Sequence, residues 1–446
     1  MIMVKSNLFL LFLVIISPIR TIQIFSLAGM ELVVGDIIML WVALTTFSIY
    51  YLNGYPRKTL GLFAQNLLWL ILIGISLGII HAIGQPLDLI RLTLPIQLRF
   101  LWSIAFGILI YLNVIKIKQL KIRHLKKYII LFALSDLVLS LIFSRNETGT
   151  RTYSFLASSG TQFIIPVAIV SAIASFIFLK KNKVYNLLIG LFLFIFFVIS
   201  GTRTPYIGFL FCGLFLFSKF GNLSRFGKFI DLKLAKINKY KIVIIPSLFV
   251  ILSSIFLVVI SVVPTSILER SLYEISGIID GLTNLSSEGG KSSFVYIQIW
   301  GKMISIILEN PLNILIGVGR NHIYAERMLG YVNDDLTHLL QHLDFVNSHN
   351  GYLEIFAGGG IISLILYIKV LTITLKYLKT FSSLAIHPSK KYLIICIGSY
   401  AVGHVMFESM FHNLTNGHPN FYNFIFISSF ICGIIDGVRR NKIILL

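Results

Sequence analysis

Apolar runs of membrane-spanning length recur along almost the whole chain, separated by short polar links, and this pattern leaves few folds open. An α-helix rises about 1.5 Å per residue, so roughly 20 apolar residues cross the hydrocarbon layer with their backbone groups bonded internally. By that measure about twelve spans are expected. The first two are Leu8 to Leu27, bent by Pro18, and Leu32 to Leu52. Leu60 to Ile83, Leu94 to Ile115, Tyr128 to Phe143 and Thr161 to Leu179 follow. Next come Val184 to Ser200, Pro205 to Ser218 and Ile242 to Val263, and the last three are Gly351 to Leu375, Tyr392 to Phe411 and Phe421 to Ile435.

Composition agrees: 56% of the 446 residues are hydrophobic and 13% charged, against about 25% charged in a soluble domain. The expected fold class is therefore an all-α polytopic membrane protein with one large external loop. Residues 1–263 carry spans one to nine, 264–348 form the loop with short helices, and 349–446 carry spans ten to twelve. Lys5 precedes an apolar run with no small-residue cleavage site after it, so that run reads as a retained span.

The net charge of +20 would suit nucleic acid if it were spread evenly. Instead the lysines and arginines crowd every second link, such as Lys116 to Lys127 and Lys219 to Lys241. That alternation is the positive-inside pattern, which places the basic links and both termini in the cytoplasm and removes nucleic acid as a partner. The loop 264–348 and the turns around Arg151, Arg203 and His412 then face outward. Cys212, Cys396 and Cys432 all lie in apolar segments without disulfide or zinc spacing.

The outer links carry the chemistry. Ser348-His349-Asn350 ends the loop where a span begins, so a titratable imidazole stands at the positive end of a helix. The same residues also suit a plain polar N-cap. Arg203, in the turn Ser200 to Pro205, can offer a bidentate guanidinium to a phosphate, or can anchor a helix end by snorkelling. Arg151 lies in a similar link, beside a segment from Tyr153 to Gln162 that is too polar for lipid. In the loop, Asn310-Pro311 closes a helical run, and Gly317-Val318-Gly319-Arg320 permits a close approach of backbone to a ligand or forms a simple turn. His338 and His342 stand one helical turn apart, but neither His322 nor Asp334, Asp335 or Asp344 is convincingly spaced as a third ligand, so no metal is expected. His404, Glu408 and His412 share one face of span eleven and suit a polar cavity.

Three of these stretches together resemble the O-antigen ligase and polymerase superfamily of bacterial membrane glycosyltransferases. Ser200-Gly201-Thr202-Arg203-Thr204 is similar to its S-x-S/T-R-T turn, and Asn310 to Gly319 to its N-P-L-x-G-x-G stretch. His349 to Glu354, with Gly360-Ile361-Ile362, is similar to its H-N-x-Y-L helix start, and Arg151 to Thr161 more weakly to its arginine segment. The resemblance implies a fold like that of the GT-C glycosyltransferases and an inverting transfer from a glycan on polyprenyl pyrophosphate, with no metal or other cofactor. By position, His349 would be the base, with Arg203, Arg151, Arg320, Asn350 and Tyr352 binding the pyrophosphate or glycan. A chain-length regulator protein is a further candidate partner, and the bacterial inner membrane the expected location. One departure stands out: Tyr296 occupies a position where family members often carry an arginine.

Three functions remain open on these residues: a repeat-unit polymerase, an O-antigen ligase acting on lipid A core, and a flippase for lipid-linked sugars. The polymerase is preferred because of the departure at Tyr296. A flippase would need charges or broken helices near the midplane of several spans.

Overall fold

The computed structural model describes residues 23–27, 30–52, 60–83, 87–117, 119–120, 125–131, 133–135, 160–178, 183–199, 208–214, 300–301, 303–319, 350–384, 386, 388–411, 419–440 and 443–445. These residues are overwhelmingly helical. Strands β1 (Gln23–Leu27) and β2 (Met30–Val33) pair antiparallel and lead into α1 (Val34–Leu52). Helices α2 (Leu62–Ala82) and α3 (Leu87–Ile115) follow, then the short strand β3 (Gln119–Leu120). The next helices are α4 (Gly160–Phe178), α5 (Lys183–Ile199) and the short α6 (Pro311–Ile316). The last are α7 (Gly351–Ser383), α8 (Pro388–Phe411) and α9 (Pro419–Arg439), with β4 (Ile444–Leu445) running parallel to β3.

Hydrophobic packing builds the bundle outward from α7, which lies against α2 and α8. Helix α3 joins α2 to α9, α9 returns to α8, and α4 extends the bundle from α8 to α5. Large side chains such as Tyr111, Tyr367, Tyr400 and Phe381 are fully enclosed. The opposite faces are apolar as well: Trp41 is 59% exposed, Phe47 70% and Ile79 61%. A helix that is apolar both inside and outside the bundle is suited to lipid, not to water. Among the described helices, α2 and α7 are long and apolar enough to cross a membrane.

Interhelical hydrogen bonds tie the spans where hydrophobicity alone gives no preference between a helix and lipid. Asn66 in α2 donates to the Leu366 carbonyl in α7 at 3.1 Å, and Tyr367 in α7 meets Ser409 in α8 at 2.9 Å. Asn113 in α3 donates to Thr46 in α1 at 2.7 Å, and Trp102 donates to Asp36 at 3.2 Å. At one end of the bundle the buried Asp436 carboxylate accepts from the Tyr111 and Tyr377 hydroxyls, the latter at 2.9 Å. Tyr111 in turn accepts from the Gly61 backbone N–H. One knot thus gathers α2, α3, α7 and α9.

Several expected boundaries move. Residues 23–27, the end of the first expected span, form a strand that pairs antiparallel with Met30–Val33; Ile24, Phe25 and Val33 are residue types that suit a strand as well as an apolar span. The second span starts at Val34 instead of Leu32 for the same reason. The fourth begins at Leu87, so the stretch holding Asp88 and Arg91 is part of the helix. Spans ten, eleven and twelve extend to Ser383, back to Pro388 and on to Arg439, since polar residues at the membrane edge continue a helix without difficulty. Proline at the first turn of α8 costs no hydrogen bond. The all-helical expectation thus describes the bulk of these residues but misses two short two-stranded pieces. The ninth span and the first 22 residues lie outside the described residues.

Candidate functional site

At 33 residues α7 would be about 50 Å long if straight, well beyond a hydrocarbon layer of about 30 Å. It is not one helix. Gly359 (φ −155°, ψ 19°) and Gly360 (φ 65°, ψ −169°) leave helical geometry. A half-helix of two turns, residues 351–358, therefore stands ahead of a membrane-length segment, 361–383. Asn350 starts the half-helix as its N-cap, with its side-chain oxygen accepting from Leu353 N–H at 3.0 Å.

The break in α7 is occupied by the large loop. Helical residues 303–308 end before Asn310, whose side chain accepts from Leu312 N–H at 2.9 Å and so caps α6, with Pro311 at its first turn. Gly317 (φ 81°) then turns the chain onto α7. Val318 N–H donates to the Ala357 carbonyl at 2.7 Å. A β-carbon on Gly317 would fall 2.4 Å from that carbonyl oxygen, and one on Gly360 would fall 2.1 Å from the Leu315 carbonyl oxygen. The two chains thus meet main chain to main chain, which only glycine at both positions allows. Met303, Ile306, Ile307, Val318 and Ala357 close a small core of their own over this contact.

This resolves the two glycine motifs differently from the expectation. Gly317 does bring backbone close to something, but that something is the backbone of α7, and Gly319 adds a second positive-φ turn (φ 96°) after it. Gly359 and Gly360 break their own helix: Gly360 receives the loop, and a β-carbon on Gly359 would fall 3.2 Å from Leu77 of α2.

Among the described residues, two side chains tie this docked unit to the bundle by hydrogen bonds. His81, at the end of α2, places Nε2 3.0 Å from the Ile316 carbonyl. A carbonyl only accepts, so Nε2 carries the proton and donates. Tyr352 donates its hydroxyl to the Met406 carbonyl in α8 at 3.0 Å, and its ring meets Tyr367 edge-on at 5.8 Å. The Asn350 side-chain oxygen and the Tyr352 hydroxyl are therefore engaged within the protein, in a cap and a helix-to-helix tie.

His349 precedes the Asn350 cap in sequence, and Arg320 follows the docked Gly319. Both residues lie outside the described residues, as do Arg203 and Arg151. The histidines His322, His338, His342 and His412 and the Glu408 side chain are likewise outside them, whereas His404 is buried beside the Tyr400 ring. What the structure brings together is the flanks: the half-helix that begins at Asn350 and the loop that ends at Gly319 form one body.

Residues 187–368 match the family model described as O-Antigen ligase. This chain carries a domain of the O-antigen ligase/polymerase superfamily. The matched stretch runs from α5 through the loop and the break in α7, and it includes Arg203, Arg320, His349, Asn350 and Tyr352. Arg151 precedes it. The superfamily consists of membrane proteins, which accords with the apolar outer faces of α1 and α2. A comparison with curated proteins finds no match.

Sequence reasoning missed His81, Asp436 and the break in α7. A triple glycine inside an apolar run was the available signal for the break. His81 and Asp436 are single polar residues near span ends, and nothing in the sequence names their partners.

Proposed function

We propose that the protein is a polysaccharide polymerase of the outer face of a bacterial inner membrane. It joins repeat units by moving a glycan from polyprenyl pyrophosphate to a second lipid-linked repeat unit. About twelve spans with cytoplasmic termini, in a GT-C-like arrangement, hold the site at the membrane surface. The observation that supports this most directly is the docked unit: the family's loop motif is seated in the helix that starts at its His-Asn motif.

In this reading His349 takes the proton from the acceptor hydroxyl as its oxygen attacks the anomeric carbon. The bond from that carbon to the pyrophosphate oxygen breaks, the configuration inverts, and polyprenyl pyrophosphate leaves. Arg203, with Arg151 and Arg320, stabilises the charge that builds on the leaving group, the task metal ions perform in many other transferases. A helix N-terminus beside the imidazole keeps it neutral and able to accept a proton. Asn350 and Tyr352 border the site and hold its edge.

His349→Ala should reach the membrane in normal amount and lose elongation by about 10²- to 10⁴-fold. Normal-length polymer from that variant would remove His349 from the mechanism. One observation favours a second reading: the matching model is described as a ligase, which would pass a finished glycan to lipid A core. A deletion strain separates the two. Single-repeat glycans mark a polymerase, and accumulated long lipid-linked chains mark a ligase.

A further inference from the structure

The half-helix 351–358 has an unusual mechanical position. Its continuity with the span is interrupted at Gly359–Gly360, so no unbroken helical ladder fixes its direction. It is locked instead to the loop through Val318 N–H and the Gly317–Gly360 contact. Loop and half-helix therefore turn together or not at all. Whatever orients them must come from the bundle, and the described residues show a polar tie on each side: Tyr352 to α8 and His81 to α2.

The tie from His81 falls on a telling atom. Ile316 is the last residue of α6, and helix ends leave carbonyls without intrahelical donors. The Asn313 carbonyl receives Gly317 N–H at 2.8 Å, while the Ile316 carbonyl receives the imidazole. His81 thus pins the residue directly before the Gly317 turn, at the point where the loop enters the break.

We propose that His81 is a positioning residue for glycan transfer: by holding the Ile316 carbonyl it fixes the docked loop and half-helix, and with them the segment carrying His349, against the membrane bundle. This rests on the proposed function of His349. A displacement of about 1 Å at a reacting group can cost on the order of 10²-fold in rate, and the smaller displacement allowed within the docked form by loss of one tie is expected to cost about 10-fold. The expected effect of losing the donor is therefore a fall of about 10-fold in kcat with KM for the lipid-linked donor unchanged.

The test uses the full-length protein, purified in detergent and supplied with lipid-linked glycan, in five forms: wild type, His81→Phe, His81→Ala, His81→Gln and His349→Ala. Phenylalanine keeps the ring and loses the donor, whereas the glutamine amide can still donate to a carbonyl. Phe and Ala should both lower kcat about 10-fold at wild-type thermal stability, and Gln should restore it to within about threefold. Wild-type kcat in His81→Phe overturns the proposal. So does an equal loss in His81→Gln, or an effect confined to KM. If His349→Ala retains full activity, the reading of the site itself fails, whatever the His81 variants do.

Discussion

Gly360→Ala tests the seat between the loop and α7. Gly360 sits at φ 65° and ψ −169°, a region nearly closed to residues with a side chain, and forcing alanine there costs about 1–3 kcal/mol. The new β-carbon would also stand 2.1 Å from the Leu315 carbonyl oxygen and 2.5 Å from Ile316 N, atoms of the main chain that cannot rotate away. The loop must retreat by about 1 Å, enough to break the Val318 bond to Ala357, for a further loss of about 0.5–1.5 kcal/mol. Together these predict about 1.5–4.5 kcal/mol against docking, an increase of about 10- to 2,000-fold in the undocked population. Limited proteolysis of the purified protein reads this directly, because cleavage of a transiently open segment follows its open population. Cuts between Leu308 and Gly319 should appear much faster than in wild type, and transfer should fall in parallel. Gly301→Ala is the control, since a β-carbon there meets nothing within 4 Å. If Gly360→Ala is cleaved at the wild-type rate and transfers normally, the glycine seat has no role in holding the loop.

Two other outcomes follow from the hydrogen bonds. Asp436→Ala leaves the Tyr111 and Tyr377 hydroxyls without their acceptor and should destabilise the bundle by about 1–3 kcal/mol, seen as a lower unfolding temperature in detergent, with Asp436→Asn milder because an acceptor oxygen remains. Tyr352→Phe should keep KM for the glycan donor at its wild-type value, since the hydroxyl is already given to Met406; a tenfold rise in KM would instead make that hydroxyl a direct substrate contact.

Much of the bundle is legible in the sequence because lipid imposes a single requirement, about 20 apolar residues per crossing, that any local run satisfies or fails. The spans from Leu60 and from Gly351 are found this way. Span ends are less legible: the Asp88–Arg91 stretch and Pro388 continue helices because a helix does not stop where the lipid does. The strands at Gln23 to Val33 were hidden by their own hydrophobicity, which reads the same for a helix as for a hairpin. The site was legible as motifs and opaque as geometry. Asn310-Pro311 announced a helix end, and the structure adds that Asn310 opens the next helix as well. The meaning of Gly317 and Gly360, by contrast, lies in each other, 43 positions apart. No local pattern carries such a pairing, and the same holds for His81 with Ile316.

A joint made of main chain has consequences for how such a protein can change. Side-chain interfaces drift by compensating substitutions, but here there is almost nothing to substitute at the point of contact. Tolerance is therefore sharply divided: a side chain at either facing glycine displaces main chain, while one at Gly301 meets nothing within 4 Å. The joint is kept as a fixed chassis, and variation is confined to the side chains around it.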